Sequence, residues 1–388
     1  MLSAILTLVM AFLLSLGVCE IATRLMLKPP LGDRVELYEQ DGSVRADCYP
    51  RSGGTHMPID LGSDREALAF LRQFNKLVIA WPGNPGKQIE SDPLPVSESL
   101  EVALGRLRER APLCVLYNLS EESPRRLVGG PGYKETFAVL GDSFAFGQGV
   151  PDDETFTTRL ADKTKARIRS YAFPGANIAE ILQQFELAMK DRDRYRISKI
   201  LYLYVLNDPY PSSNQTAQPN LLNDFMNIRL SVTPYSSKSA VRQLGKLSSY
   251  SALARFALRA YSSWIVSRET IRWYQELHDP NLNPGFATTF EQIRLMRERA
   301  RRQGIDFVVF VYPLMLDMRH YPLIDAHKHL AEMASRSQVE LVDLLPAFQA
   351  HPRVTITVHP IDLHPNGMAH EIAATAVAQY LQHQVRVK

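Results

Sequence analysis

Over the second half of the chain, short apolar runs that stop at turns alternate with stretches of helical spacing. FAVLG, RIRSYAFPG, KILYLYVLND, IDFVVFVYP and VELVDLLP have the first character, and runs of this length and make-up predict buried parallel strands. Between them, ETFTTRLADKTKA, ANIAEILQQFELAMK, TTFEQIRLMRERARRQG and LIDAHKHLAEMASRS repeat apolar residues every three or four positions and predict amphipathic helices. Strand and helix in alternation predict a doubly wound α/β fold with a parallel sheet. One connection breaks the rhythm. About 80 residues separate the strand ending at Asn207 from the next sheet-covering helix, far more than a crossover needs. Residues 209–287 therefore form an insertion, loop-like at first and then helical, carrying Phe256, Tyr261, Trp264, Trp273 and Tyr274. Aromatics so spaced either pack a core or offer stacking faces to a sugar or acyl group.

The first part of the chain differs in texture. Leu2 to Cys19 contains no charged residue, and as a helix it would extend about 27 Å, close to the thickness of a bilayer core. No basic residue precedes Arg24 and no A-x-A cleavage site follows, so residues 1–27 read as an uncleaved transmembrane anchor rather than a signal peptide. A lipoprotein reading of Cys19 meets Val18 where a small residue is wanted. Arg24, Lys28 and Arg34 follow the span, and by the positive-inside rule they would hold the body in the cytoplasm. Residues 28–134 are rich in turn formers, with short apolar runs such as LVIAW and LCVLYNL, and predict a small β or irregular portion.

Composition narrows the function. The chain has 388 residues, 45% hydrophobic and 22% charged, which fits a folded protein with a large core. A formal charge of +3 without a basic domain gives no sign of a nucleic-acid partner. Arg294, Arg297, Arg299, Arg301 and Arg302 cluster, but beside Phe290, Ile293, Met296 and Ala300 they read as the solvated face of a helix. The three cysteines, Cys19, Cys48 and Cys114, have no metal spacing; Cys48 and Cys114 are either buried thiols or one disulfide. No metal site and no cofactor is expected. His327 and His329, two apart on a predicted helix, face different directions.

In an open α/β sheet the reactive groups gather beyond the carboxyl ends of the strands. After FAVLG comes Asp142-Ser143, a hydroxyl at a strand-to-helix turn where helix N–H groups favour developing negative charge. After SYAF comes Pro174-Gly175, where a glycine lets its backbone N–H approach an oxyanion; after LYLYVL comes Asn207, whose side-chain amide could join it. A serine needs a base. His364 lies in His359-Pro360-Ile361-Asp362-Leu363-His364-Pro365-Asn366-Gly367; Pro365 pushes it toward extended backbone, which places Asp362 on the same side. That carboxylate could fix the tautomer of the ring. His359 and His370 are competitors for the base.

Taken in order, GDSFAFGQGV, FPGAN, LNDP and DLHPNG, each after a predicted strand, closely resemble the four motif blocks of the SGNH family of GDSL-type esterases and acyltransferases. The likeness covers roughly residues 135–384 apart from the insertion. It implies a flavodoxin-like three-layer α/β/α domain in which Ser143 attacks an ester carbonyl. The oxyanion hole would be the Ser143 N–H, the Gly175 N–H and the Asn207 side chain, with His364 as base and then acid and Asp362 orienting it. Two departures are a Phe for the usual Leu after GDS, and an Asp two rather than three positions before the His. The D-x-H-P-N form and GDSF-x-x-G-x-G-V are similar to membrane-anchored bacterial relatives linked to surface polysaccharide. That likeness implies an extracytoplasmic, periplasmic body, against the charge rule.

The expectation is thus a serine ester hydrolase removing acyl groups, with acetyl foremost, from a carbohydrate or similar ester. The alternatives are an O-acyltransferase that uses the same residues on a surface polysaccharide, in company with biosynthetic partners, and an inactive binding or assembly protein.

Overall fold

The computed structural model describes residues 15–25, 35–38, 44–49, 76–79, 113–117, 127–130, 132–133, 135–209, 250–359 and 362–387. By compactness the chain forms two units, one of residues 1–30 with 213–273 and the other of residues 31–212 with 274–388.

In the first unit, helix α1 (residues 15–25) overturns the expected membrane anchor. Among the described residues no helix is long and apolar enough to cross a membrane. Helix α1 does not stop at Cys19 but continues through Glu20 and Arg24, whose side chains pair at 2.8 Å. The Glu20 carboxylate also accepts hydrogen bonds from Ser251 Oγ and from the Ala252 and Leu253 N–H groups, at 2.7 to 3.0 Å. These bonds hold its pKa down at about 2. A charged group so employed at the start of another helix does not belong to a lipid-facing span. With the span goes the argument for an extracytoplasmic body. Residues 1–14 lie outside the described residues.

The second unit begins with a small sheet: β1 (Val35–Tyr38), β2 (Val44–Tyr49), β3 (Lys76–Ile79) and β4 (Leu113–Leu116), in the order β3-β1-β2-β4 with antiparallel neighbours. Its register sets Cys48 opposite Cys114; their side chains lie outside the described residues.

The central sheet comprises, among the described residues, β5 (Leu127–Val128), β6 (Thr136–Gly141), β7 (Arg167–Ser170), β8 (Ile197–Tyr204), β9 (Asp306–Val311) and β10 (Leu341–Asp343). The order is β10-β9-β8-β6-β7-β5, parallel throughout except for β5, which runs antiparallel to β7. The five parallel strands follow the flavodoxin-like order 2-1-3-4-5, with its switch point between β6 and β8. The protein is an α/β protein with a mostly parallel central sheet.

Helices cover both faces of this sheet. The one-turn α2 (Ser143–Phe146) and then α3 (Phe156–Thr164) follow β6, and α4 (Ile178–Tyr195) links β7 to β8. Helix α5 (Ala252–Leu277) is the helical stretch of the insertion; residues 210–249 and the side chains of Tyr261 and Trp264 lie outside the described residues. Then come α6 (Pro284–Arg302), α7 (Ile324–Arg336), α8 (Leu345–Gln349) and α9 (Gly367–Val387). Helix α3 packs with α9, and α4 with α6. The caps are written in the sequence: Asn177 and Glu180 form a capping box on α4, and Asn283 caps α6 ahead of Pro284. On α6 the apolar stripe Phe290, Ile293, Met296 and Ala300 is buried, while Arg294 pairs with Glu291 and Glu298 and Arg299 with Glu186. Of the arginine cluster, Arg299, Arg301 and Arg302 are exposed, and Arg294 and Arg299 are the ion-paired members.

Candidate active site

Strand β6 sits between β7 and β8, so the loops leaving these three carboxyl ends are neighbours. They carry Ser143, Gly175 and Asn207 respectively. The turn after β6 is tight. A Cβ on Gly141 would lie 2.5 Å from Ala145 Cβ and 3.1 Å from the Leu203 carbonyl oxygen, so only glycine lets the chain fold back here. Gly141 ends β6 with its peptide groups met largely by a side chain: its N–H donates to Gln184 Oε1 at 2.9 Å, and its carbonyl accepts from Gln184 Nε2 at 3.0 Å and from the Phe173 N–H at 3.3 Å. Gln184 is buried on α4 between Ile181 and Phe185, a polar residue on an apolar stripe.

Asp142 caps the single turn α2, accepting the Phe144 N–H at 2.8 Å, and Gly147 ends that turn in the left-handed conformation (φ 80°). With only four residues, α2 supplies local N–H donors rather than the dipole of a long helix. Ser143 is buried to 8% exposure. Its Oγ lies 2.9 Å from His364 Nε2, across 221 residues of sequence. His364 reaches it from a hairpin of β11 (Thr357–His359) and β12 (Asp362–Pro365), antiparallel in pairing, which confirms the extended backbone expected ahead of Pro365. The His364 ring stands edge-on to Phe144 at 5.7 Å, and Phe144 stands edge-on to Tyr312 at 5.4 Å. The side chains of Asp362 and His359 lie outside the described residues; their backbones pair across the hairpin.

Asn207 is anchored from below, its Nδ2 donating to Asp142 Oδ2 at 3.2 Å. Asp142 is 2% exposed. Burial pushes its pKa up to about 6, against the opposing pull of the Phe144 N–H, the His364 charge and the Asn207 amide. Beneath it Asp208, fully buried, accepts Tyr202 Oη–H at 2.7 Å and the Val205 N–H at 3.1 Å. Burial and the Asp142 charge raise Asp208 well above the ordinary carboxylate range. The Asp208 carbonyl accepts the Ile178 N–H at 3.0 Å, which ties the Gly175 turn to the Asn207 loop. Gly175 itself is left-handed (φ 81°), with open space where a Cβ would stand.

Four of the other histidines are engaged elsewhere. His327 Nδ1 is 2.9 Å from Asp343 Oδ1, His329 Nδ1 is 2.9 Å from the His278 carbonyl, and His370 is buried beside Tyr312. His278 links Tyr204 Oη to the Tyr274 carbonyl, and burial lowers its pKa to about 3, so it is neutral. Among the described residues no cluster of three or more His, Cys, Asp or Glu side chains could hold a metal ion.

Two supporting residues carry little signal in the sequence: Asp142 stands out only as a turn residue, and Gln184 as one of two glutamines in an amphipathic helix. A glutamine at a buried helical position was the one available signal.

No family model matches the sequence, and no curated protein matches it. Solved structures do. A catalytic mutant of Axe2, an acetylxylan esterase from Geobacillus stearothermophilus, is 10% identical with a TM-score of 0.37, over 64% of this chain and 94% of that one. The acetyl xylan esterase AlAXEase is 11% identical with a TM-score of 0.36, over 63% and 98%. The psychrotrophic esterase EstA from Pseudoalteromonas sp. is 9% identical with a TM-score of 0.35, over 65% and 100%.

Proposed function

We propose that the chain is a serine-dependent ester hydrolase of the SGNH type, with residues 135–388 as its catalytic domain around the insertion 209–287. The observation that carries this reading is the 2.9 Å approach of Ser143 Oγ to His364 Nε2 at the carboxyl edge of the sheet, beside the switch point. A serine hydroxyl gains nucleophilicity when a neutral imidazole takes its proton, and this distance suits that transfer.

In the proposed reaction Ser143 Oγ attacks the acyl carbonyl as its proton passes to His364 Nε2. The carbonyl oxygen becomes an oxyanion facing the Ser143 and Gly175 N–H groups and the second hydrogen of Asn207 Nδ2, the first being held by Asp142. His364 returns the proton to the departing alkoxide, leaving an acyl-serine. Water, deprotonated by His364, then attacks the acyl carbon, and His364 returns that proton to Ser143 Oγ as the acid departs. Asp362 is assigned the orienting carboxylate on its position in β12, two residues before His364.

The motif blocks favour an acylated carbohydrate or a similar ester as substrate, with acetyl as the acyl group. The test is hydrolysis of 4-nitrophenyl acetate and of an acetylated oligosaccharide by the full chain, beside Ser143→Ala. Acid release that disappears in the variant supports the reading. Acetyl transfer to an added glycan in place of free acid would replace hydrolase by acyltransferase, and unchanged turnover in Ser143→Ala would end it.

A further inference from the structure

The small N-terminal sheet touches the turn that carries Ser143. Val115 and Tyr117 alternate along β4 and its end, so they share one face, and both are buried. They form one apolar cluster with Phe146, the last residue of α2, and with Ala172, which leads into the Gly175 turn. The Tyr117 ring meets the edge of Phe146 at 5.2 Å and an interplanar angle of 79°. Beyond the ring, Tyr117 Oη accepts the Gly149 N–H at 2.7 Å, and Gly149 is left-handed (φ 82°). One side chain from outside the motif blocks thus touches the nucleophile turn at two points, three and six residues after Ser143.

We propose that Tyr117 is a positioning residue for the esterase site. It fixes the 143–149 turn against the Gly175 turn, so that the Ser143 and Gly175 N–H groups converge on one oxyanion. The inference rests on the esterase reading and assigns the N-terminal portion a part in it. The physical argument is geometric. The turn bonds to itself, Gly147 and Gln148 N–H both donating to the Ser143 carbonyl at 3.0 Å, but those bonds fix only its internal shape; its placement against the Gly175 turn needs contacts from outside, and preorganised donors need such supports. The hydroxyl supplies an acceptor for a backbone donor inside the protein, and the ring supplies the packing surface.

The test is Tyr117→Phe in the full chain, which keeps the ring and removes the acceptor. The readouts are the labelling rate of Ser143 by a fluorophosphonate, and kcat and KM for 4-nitrophenyl acetate, measured where circular dichroism shows the variant fully folded. The expected result is a drop of about tenfold or more in kcat and in labelling rate, with KM within about twofold. A merely structural tyrosine would lower the melting temperature and leave kcat of the folded variant unchanged, and that outcome overturns the proposal. Ser143→Ala runs in parallel: if it keeps its activity, the esterase reading fails; if it is dead while Tyr117→Phe is fully active, only the role of Tyr117 fails. Should Tyr117→Phe not fold, amide hydrogen exchange at Gly149 in the unaltered chain decides, slow exchange supporting the bond and exchange at the rate of an open loop refuting it.

Discussion

Replacing Asp142 by Asn separates what this residue does for stability from what it does for the site. The substitution keeps size and shape and removes the charge. In the folded protein burial raises the carboxyl from 3.8 to about 6, so the native state holds the Asp142 proton more tightly than the unfolded chain does. Stability from this group is therefore fully present below pH 3.8 and is lost as pH rises through about 6. At about 1.4 kcal/mol per pH unit, the interval of roughly two units means that ionised Asp142 costs the fold about 3 kcal/mol at pH 8. Asp142→Asn should thus be more stable than the unaltered chain by up to about 3 kcal/mol at pH 8 and nearly equal to it at pH 4, as read by urea unfolding at both values. Activity should move the other way. The new amide keeps an acceptor for the Phe144 N–H but turns an NH2 toward Asn207 Nδ2, so Asn207 must reverse its amide or part from it. If Asn207 is an oxyanion donor, kcat should fall by about tenfold to a hundredfold. A variant equally stable at pH 8, or stabilised alike at both pH values, would refute the electrostatic reasoning; full activity would refute the place of Asn207.

Gly141→Ala drives a methyl group to 2.5 Å from Ala145 Cβ and should cost about 1–3 kcal/mol, with kcat falling because the displaced turn carries Ser143. Urea unfolding and ester turnover measure the two effects. Gln184→Leu takes from the Gly141 N–H its acceptor and leaves the carbonyl only the Phe173 N–H, and should cost about 2–4 kcal/mol in the same unfolding assay. Asp362→Asn should retain more activity than His364→Ala if the aspartate only orients the ring; equal residual rates would contradict that ranking.

The parts of the fold legible in sequence are those fixed by local pattern. Val139, Leu201 and Val309 belong to short apolar runs because both faces of a parallel sheet are covered, and such runs announce themselves. Helices α4 and α6 carried their apolar stripes openly, although α6 starts at Pro284, four residues ahead of the Thr288 that its periodicity suggests. Ser143, Gly175 and Asn207 were legible because each stands just past the carboxyl end of an apolar run, and His364 because Pro365 holds it in an extended segment. What could not be read depends on tertiary approach. Asp142 rises to about 6 because of what buries it, and no neighbour in sequence signals that. Tyr117 and Gly149 are 32 residues apart and meet only because β4 ends beside the turn that carries Ser143. The N-terminal segment was misread for a local reason: counting apolar residues stopped at Cys19, while the helix runs on through Glu20, whose carboxylate is engaged by the start of α5.

The central claim is that Ser143 is a nucleophile activated by His364. Its most direct test is to treat the full chain with a fluorophosphonate and locate the adduct by peptide mass mapping. One adduct on Ser143, absent in Ser143→Ala and formed at least a hundredfold more slowly in His364→Ala, on the order expected for loss of the base, is the predicted result. An adduct on another residue, or labelling of Ser143 at the same rate without His364, would contradict it.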